Sequence, residues 1–494
     1  MTPSSKSAGS RSTERLFVGI DTGTGGVRAM AVTESGHVAA RSQLDLDPAL
    51  LHISPDLHEQ PPEAWWEAVC DACAALMAQI RTRGVPGARL AAVAVDGTSG
   101  TLVCLDKDGQ PVRPSMMYND PRGAGEAEEL NALGASTCGK LGYRFKSSFA
   151  LAKLAWVHRN EPAVFERTAL VAHQADFIVR RLTGTRAASD FSNALKTGYD
   201  LIDERWPEWL DAAYRERLPD VVAPGTRVGA VCPDAAARTG LPEGLAVAAG
   251  ATDGTAACIA SGASRPGDIN TTVGTTLVFK AISDRIGTHP DGIVYSHRLP
   301  GDRWLPGAAS NTGAEWTTAL FPGEDLAALD RAAQSRLPSP ILAYPLVRQG
   351  ERFPFLCASA EGFCVPEADD HVDRFAAYLQ GTALVERMAC EVLEGVIGET
   401  TGEVFSTGAA SGSDPWLQCR ADVTGRVMHR PAHPESAFGS AILAAACVHF
   451  PELGEACRRM VRIERTFEPD GANREAYEAI FARFQEELKK RGYL

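Results

Sequence analysis

The stretch LFVGIDTGTGGVRAMAVTESGHVAARS, residues 16–42, decides which fold the chain can adopt. It predicts three short strands joined by Gly-containing turns, and the first strand ends at Asp21, before a run of Thr and Gly. Because Asp is depleted in strands and Gly weakens them, this run is poor material for a plain hairpin. A tight turn rich in Gly and Thr lets backbone N–H groups and hydroxyls surround phosphate oxygens. The stretch therefore predicts a phosphate-binding hairpin.

Asp21 has a separate predicted role in this hairpin. A carboxylate does not bind phosphate, but it can hold Mg²⁺ directly or through water, and the cation can then bridge phosphates. The alternative is a Gly-rich turn in which Asp21 is only a capping residue. The loops contain neither GxxxxGK[ST] nor GxGxxG, so Walker-type and Rossmann-type phosphate cradles are not supported.

The opening pattern returns in the second half of the chain. Residues 267–283, GDINTTVGTTLVFKAIS, predict a strand, a Thr/Gly turn and a second strand. Between the two hairpins lies GATDGTAA, residues 250–257, which contains Asp253. Strand-rich and helical segments alternate along the chain, and helices dominate from about Arg122 to Leu218. The repeat predicts two related domains that face each other, with a boundary between Leu245 and Arg265.

Composition narrows the class of protein. The 494 residues carry a net charge of -13, with 45% hydrophobic and 22% charged residues, which is typical of a globular protein and not of a disordered one. The negative charge argues against nucleic acid or an anionic membrane as a general partner, and favours small solutes. Residues 1–13 lack the apolar core of a signal peptide and predict a flexible tail. Together with 12 scattered Cys, these features predict a cytoplasmic protein with no membrane span.

Several segments together resemble the FGGY carbohydrate kinase family of the actin/hexokinase/Hsp70-like ATPase superfamily, over about residues 15–490. They follow the family's order and read GIDTGTGGVRA, HEQPPEAWWEA, VAVDGTSGTLVCLD, MYNDPR, AGATDGTAA, NTTVGTTLVFK, and GAASGSDPWLQCRADVTGRV with PESAFGSAILAA. The resemblance implies an α/β fold in which two ribonuclease-H-like domains, of the actin/hexokinase/Hsp70 type, flank a deep cleft. It also implies that ATP and a sugar lie in this cleft and that a phosphoryl group passes from ATP to a sugar hydroxyl.

The resemblance also implies how the chain is divided. After the tail at residues 1–13, the N-terminal kinase domain at 14–255 carries the sugar side, the first phosphate loop and the catalytic Asp. The C-terminal kinase domain at 256–494 carries the nucleotide side. Closure of the two domains, which brings the phosphate loops together and expels water, is expected. We expect a monomer or a homodimer.

Residue roles follow from the same match. Asp253 aligns with the family's catalytic base, and a carboxylate suits the task of accepting a hydroxyl proton; the alternative is an Asp that closes a Gly turn. The metal, Mg²⁺, is assigned to Asp21 and Asp253. The residues assigned to ATP fall into a first phosphate loop, a second phosphate loop and an adenosine-site turn: Asp21, Thr22, Gly23 and Thr24; Gly274, Thr275 and Thr276; Gly408, Ala409, Ala410 and Ser411.

The sugar-facing segment departs from one branch of the family. Typical xylulokinases have a Met-His-Gly stretch after the strand that corresponds to the one near Val95. This chain has VDGTSGT there, at residues 95–101. With MYND at 117–120 and AASNTGAEW at 308–316, the segment resembles the D-ribulokinase-type branch. The resemblance thus favours D-ribulose and a 5-phosphate product, with D-xylulose or another ketose or polyol as alternatives. The residues assigned to the sugar are Asp96, Thr98, Ser99, Asn119, Asp120 and Asp253.

Four alternatives stay open at this point. The sugar-facing Asp96, Thr98 and Ser99 can each be turn formers. Trp316 can wall the nucleotide cleft or fill the core, and Asp422 can hold its own segment rather than touch a ligand. An ATPase switch without sugar chemistry, as occurs in the same superfamily, is an alternative of another class.

Overall fold

The computed structural model describes residues 14–50, 57–83, 90–186 and 188–494. The tail predicted at residues 1–13 lies outside these residues. Within the described ranges, no helix has both the length and the apolar character needed to cross a membrane.

The first half of the chain alternates short strands with helices. Its strands are β1 (Leu16–Thr22), β2 (Gly26–Thr33), β3 (Val38–Asp45), β4 (Glu59–Gln60), β5 (Leu90–Gly97), β6 (Val103–Leu105), β7 (Ser115–Met116), β8 (Leu170–Ala172), β9 (Ser189–Asp190), β10 (Val221–Val222), β11 (Arg227–Ala230) and β12 (Ala246–Thr252). Its helices are α1 (Pro62–Thr82), α2 (Ala124–Leu133), α3 (Ala135–Leu141), α4 (Ala150–Asn160), α5 (Pro162–Arg167), α6 (Gln174–Thr183), α7 (Phe191–Ala194), α8 (Ala212–Arg215), α9 (Pro233–Thr239) and α10 (Asp253–Ser261). The helical stretch predicted after Arg122 corresponds to α2–α8, although short strands interrupt it.

The second half has fewer and longer helices. Its strands are β13 (Ile269–Val273), β14 (Leu277–Ala281), β15 (Tyr295–Leu299), β16 (Arg303–Ser310), β17 (Leu342–Tyr344), β18 (Phe363–Val365), β19 (Val404–Thr407), β20 (Met428–Pro431) and β21 (Ile463–Phe467). Its helices are α11 (Glu315–Leu320), α12 (Leu326–Ala333), α13 (His371–Ile397), α14 (Asp414–Thr424), α15 (Ser436–Val448), α16 (Leu453–Met460) and α17 (Arg474–Lys490).

The two large sheets share one strand order. The first sheet runs β11-β12-β5-β1-β2-β3, and the second contains the matching order β21-β20-β19-β13-β14-β16, extended by β15. In each sheet the opening hairpin is antiparallel, the next two neighbours are parallel, and the far edge strand is antiparallel again. The internal repeat that the two Thr/Gly hairpins predict is therefore present in the topology.

Helix α15 belongs to the second half by sequence but packs on β1, β5 and β12 of the first sheet. The close contact of α15 with β1 requires glycine at Gly19, because a Cβ there would lie 1.8 Å from the Ala437 carbonyl oxygen. The close contact of α15 with α10 requires glycine at Gly439, because a Cβ there would lie 1.9 Å from the Ala256 carbonyl oxygen. Apolar residues of both halves meet around this crossing, among them Phe17, Phe405 and Phe438. The two sheets thus share a core, with α10 and α15 between them.

The aromatic core of the second half decides the role of Trp316. Its side chain is fully buried, and its ring packs edge-on against Phe321, Phe375 and Trp416. The indole N–H donates to Thr382 Oγ1 at 3.2 Å. Trp316 is therefore a core residue, and the alternative of a cleft wall is not supported.

A buried ion pair ties the same half together. Arg420 of α14 donates two hydrogen bonds to Glu386 of α13, at 2.6 and 2.7 Å, and both side chains are almost fully buried. The same guanidinium donates to Ser406 Oγ and Thr271 Oγ1. Two helices and two strands therefore meet on one side chain.

Candidate active site

Three carboxylates stand at the carboxyl ends of three adjacent parallel strands. Asp21 is the partner of Asp96 in the pairing of β1 with β5. Thr252, the last residue of β12, is the partner of Gly97, so Asp253 follows at the same edge of the sheet. Because neighbouring parallel strands end at a common edge, residues far apart in sequence meet there. The fold thus brings together the predicted metal, sugar and base residues.

Asp96 is the most deeply buried of the three. Its side chain has no exposed surface, and Ser440 Oγ of α15 donates to its Oδ2 at 2.6 Å. Burial raises the pKa of Asp96 well above its ordinary value, and the nearby charge of Asp21 acts in the same direction. The raised pKa favours the protonated form of Asp96, in which it can donate a hydrogen bond.

Asp253 occupies the first position of α10. Its Oδ1 accepts a hydrogen bond from the Gly254 N–H at 2.6 Å. Burial raises the pKa of Asp253, and this effect exceeds the opposing effects of the Gly254 N–H and of Lys280. A raised pKa brings a carboxylate closer to the working pH of a general base.

The first predicted phosphate loop is the turn between β1 and β2. The turn is closed by a hydrogen bond from Gly23 N to Gly26 O at 2.9 Å. Thr22 Oγ1 is buried and has no hydrogen-bond partner among the described residues, and Asp21 is anchored by Arg28 at 3.2 Å. The unpartnered hydroxyl could donate a hydrogen bond to a phosphate oxygen, and the neighbouring carboxylate could bind the cation that accompanies the phosphate.

The second predicted loop and the adenosine-site turn lie side by side in the other sheet. The turn after β13 is closed by a bond from Gly274 N to Thr276 O at 3.0 Å, and β19, which pairs with β13, ends just before Gly408. Gly408 has a φ of +88°, and a Cβ there would lie 2.5 Å from the Val273 carbonyl oxygen. Only glycine fits this position. Ala409, Ala410 and Ser411 follow in a short 3-10 turn, where Ser411 Oγ donates to Gly408 O at 2.6 Å.

The predicted sugar residues after β5 differ in whether their hydrogen-bonding groups already have partners within the protein. Thr98 is engaged by the protein, since its hydroxyl lies 2.6 Å from both Thr101 Oγ1 and Gln174 Oε1. Ser99 Oγ and Gln174 Nε2 are buried and have no hydrogen-bond partner in the described part of the chain. Ser99 and Gln174 therefore offer the open hydrogen-bonding groups of this segment.

The two predicted sugar residues of the MYND segment, Asn119 and Asp120, also differ in their surroundings. Asn119 is exposed, whereas Asp120 is fully buried and accepts bonds from the Arg122 side chain and from the His58 backbone N–H. Burial alone would raise the pKa of Asp120, but these hydrogen bonds outweigh it and the net shift is downward. The contacts of Asp120 are those of a residue that orders its segment.

Asp422 has similar contacts. Its Oδ1 accepts from Gln418 Nε2 and from the Asp470 backbone N–H, each at 2.8 Å. These bonds tie α14 to the segment after β21, in keeping with a structural role.

Three residues near the candidate site were not predicted from the sequence: Lys280, Gln174 and Ser440. Lys280 lies on β14, and a Cβ on Gly254 would lie 3.0 Å from its Nζ. A signal existed for two of them, because Lys280 interrupts the apolar run TLVFKAIS and Ser440 interrupts the small, apolar run of α15. Gln174 gives no such signal, since polar residues at helix starts are common.

Within the ranges that the structure describes, no group of three or more His, Cys, Asp or Glu side chains is arranged to hold a metal ion. The carboxylates of Asp21, Asp96 and Asp253 are thus neighbours without forming such a group.

Comparison with known proteins adds the family context. Residues 16–260 match the model of the N-terminal domain of the FGGY family of carbohydrate kinases, and residues 271–447 match that of its C-terminal domain. The chain is 28% identical over 492 residues to a xylulose kinase of Klebsiella pneumoniae, covering 96% of this chain and 99% of the relative. It is also 28% identical over 424 residues to a xylulose kinase of Escherichia coli, covering 83% and 85%.

Solved structures agree with the fold. A "xyloylose kinase" from Brucella ovis aligns with a TM-score of 0.87 at 25% identity, covering 97% of this chain and 99% of that one. A xylulose kinase from Rhodospirillum rubrum aligns with a TM-score of 0.85 at 27% identity, covering 96% and 99%. The predicted two-domain α/β fold of the actin/hexokinase type is confirmed.

Proposed function

The chain belongs to the FGGY family of carbohydrate kinases and is a sugar kinase, and from this premise we propose that it transfers the γ-phosphoryl group of ATP to the terminal hydroxyl of D-xylulose. Family membership sets aside the ATPase switch without sugar chemistry. The comparisons depart from the sequence expectation on the identity of the ketose. The VDGTSGT segment favours D-ribulose, whereas several relatives that cover most of the chain are xylulose kinases.

The observation that carries the proposal is the meeting of Asp21, Asp96 and Asp253 at one sheet edge. Asp253, at the start of α10, is the proposed base that accepts the proton of the attacking hydroxyl. Asp96, whose raised pKa favours the protonated form and whose Oδ2 accepts from Ser440 Oγ, is proposed to donate a hydrogen bond rather than to act as a second base. The open groups of Ser99 and Gln174 are proposed to bind hydroxyls of the acceptor.

The nucleotide side is proposed to lie across the cleft. The turns at residues 22–24 and 274–276 would bind phosphate oxygens, and the turn at 408–411 would face the adenosine. Asp21 is the proposed partner of Mg²⁺, with Asp253 nearby; the cation supplies charge neutralisation at the phosphates when it is bound. The proposed closure of the two halves would exclude water while Asp253 takes the proton.

The domain division stays a proposal as well. We place it at residues 255 and 256, inside α10, the helix that packs against α15 of the second half. A cytoplasmic setting and a monomer or homodimer are likewise proposed.

The test is acceptor-dependent ADP formation with purified protein, ATP and Mg²⁺. D-xylulose and D-ribulose are compared with hexuloses and polyols, and phosphorus NMR of the product identifies the hydroxyl that is phosphorylated. We expect the highest kcat/KM with D-xylulose and a 5-phosphate product. A higher kcat/KM with D-ribulose would restore the sequence expectation, and no ADP with any acceptor would refute the proposal.

A further inference from the structure

A buried polar segment, residues 189–200, lies next to the strand that leads into the proposed base. Every residue of this segment is buried. It contains helix α7, which packs against β12. Asp190, Ser192 and Asn193 are each at most 2% exposed. Because burying polar groups costs free energy unless they are hydrogen-bonded, the partners of these side chains show what the segment holds in place.

Asp190 is the N-cap of α7. Its Oδ1 accepts hydrogen bonds from the backbone N–H groups of Ser192 and Asn193, at 2.7 and 3.2 Å. Its Oδ2 accepts from Asn193 Nδ2 at 2.6 Å. This cap is built from backbone N–H groups and one side-chain amide, so it does not require the hydroxyl of Ser192. The hydroxyl is therefore to be explained by its contact outside α7.

The Ser192 hydroxyl joins Asp190 to β12. Its Oγ accepts a hydrogen bond from the Thr252 backbone N–H at 2.8 Å and donates to Asp190 Oδ1 at 2.5 Å. A hydroxyl has one donor and two acceptor lone pairs, so both bonds form at once. Asp190 thus fixes the direction of the Ser192 hydroxyl, and that hydroxyl fixes the Thr252 N–H.

The bond to Thr252 lies one peptide before the proposed base. Thr252 is the last residue of β12 and the N-cap of α10, and Asp253 follows it directly. The side chain of Thr252 makes no capping hydrogen bond to α10. The pairing of β12 with β5 also shifts register between Ala248 and Ala251, just before this point. The path of the chain into Asp253 therefore depends on the Ser192 contact as well as on the sheet.

We propose that Ser192, held by Asp190, is a positioning residue that sets the place of Asp253 relative to the acceptor hydroxyl through the Thr252 N–H. The proposal rests on the phosphoryl transfer proposed above, in which Asp253 takes the hydroxyl proton. Ser192 takes no part in bond changes. Because a general base must lie within hydrogen-bond reach of the proton that it accepts, a displaced Asp253 lowers kcat even in a folded protein.

Ser192→Ala tests this contact. It removes the acceptor of the Thr252 N–H and leaves the backbone cap of α7 in place. We expect kcat with the best acceptor to fall by about 10- to 100-fold, as for a slightly misplaced reacting group, while KM for ATP stays nearly unchanged. Turnover and melting temperature are measured on one preparation.

Ser261→Ala is the matched control, at the other end of α10. Ser261 is also fully buried, and its Oγ donates to Cys258 O at 2.6 Å and accepts from the Ala263 N–H at 3.3 Å. The control removes an equivalent hydroxyl without touching the segment before Asp253, so its kcat should stay near that of the parent. If Ser192→Ala gives no folded protein, Ser192→Cys replaces it throughout, because a thiol fills the site but accepts hydrogen bonds weakly.

A double variant separates positioning of the base from a general loss of activity. If Ser192 acts through Asp253, little is left to lose once the carboxylate is gone. Ser192→Ala should then change the kcat of Asp253→Asn by less than about threefold. Equal fold losses in the two backgrounds would mean that Ser192 acts independently of the base and would overturn the proposal. A loss of the same size in Ser261→Ala would overturn it as well.

Failure of this proposal is distinguishable from failure of the kinase proposal. If the parent forms ADP and Asp253→Asn does not, whereas Ser192→Ala keeps the kcat of the parent, only the positioning role is wrong. If the parent forms no ADP with any acceptor, Asp253 has no phosphoryl transfer to serve, and both proposals are wrong.

Discussion

Ser440 Oγ lies 2.6 Å from Asp96 Oδ2, so a helix of the second half holds a carboxyl group at the end of a strand of the first half. This bond crosses between the two parts that are proposed to close on the substrates. The orientation of Asp96 therefore depends on where α15 lies relative to β5.

Asp253→Asn tests the proposed base. The substitution removes the proton acceptor but keeps an oxygen that can accept the Gly254 N–H. We expect kcat to fall by about 10²–10⁴, as for loss of a general base, with the melting temperature and ATP binding nearly unchanged. Turnover and melting are measured on one preparation, because a partly unfolded enzyme also appears slow. An active but thermally fragile variant would indicate a turn residue instead.

Asp21→Ala tests the proposed metal partner. We expect a higher Mg²⁺ concentration for half-maximal turnover, since the carboxylate no longer positions the cation, and little change in acceptor binding without nucleotide. The Arg28→Ala variant is the control, because it removes the anchor of Asp21 at 3.2 Å and leaves the carboxylate in place. Lost acceptor affinity with a normal Mg²⁺ response would place Asp21 on the sugar side.

Asp96→Asn tests the protonation state of the buried acid. Because its pKa is raised in the folded protein, its contribution to stability is fully present below the ordinary carboxyl pKa and is lost as pH rises through the raised value. Asn cannot ionise, so the variant should melt at the same or a higher temperature than the parent at pH 8, and the difference should shrink toward pH 4. Asp71→Asn, on the exposed face of α1, serves as the control. An equal loss of stability at every pH would contradict the assignment.

Glu386→Gln tests the buried ion pair. It leaves the buried Arg420 guanidinium without a charged partner, which should cost about 3–5 kcal/mol in the free energy of unfolding. Glu391→Gln on the same helix removes a partly exposed partner of Arg387 and should cost about 0–1 kcal/mol. Denaturant titration measures both. Similar losses in the two variants would mean that burial of the pair is not what matters.

The sequence predicts the parts of the site that repeat and alternate. The Thr/Gly hairpin at residues 22–26 has a periodic pattern on both sides, and its repeat at residues 273–277 makes the two related sheets predictable. Strands of two residues, such as β4 and β7, have no period and pair across long stretches of chain, so the sequence did not predict them.

Contacts between the two halves illustrate the same limit. Lys196, in the turn after α7, and Lys280, on β14, line the same cavity although they come from different halves. No local pattern encodes that meeting. The docking of α15 on β1 is hidden for the same reason, although Gly19 and Gly439 mark it once the structure is known.

The position of α15 also has a consequence for synthesis of the chain. Apolar residues of the first sheet, such as Phe17 and Met30, are covered by a helix at residues 436–448, which is synthesised long after them. Until then, the nascent first half has an open apolar surface, although its own strands are complete. Such a surface invites aggregation or chaperone binding. A fragment that stops after α10 should therefore be poorly soluble, and expression of the full chain should be sensitive to translation that stalls before α15.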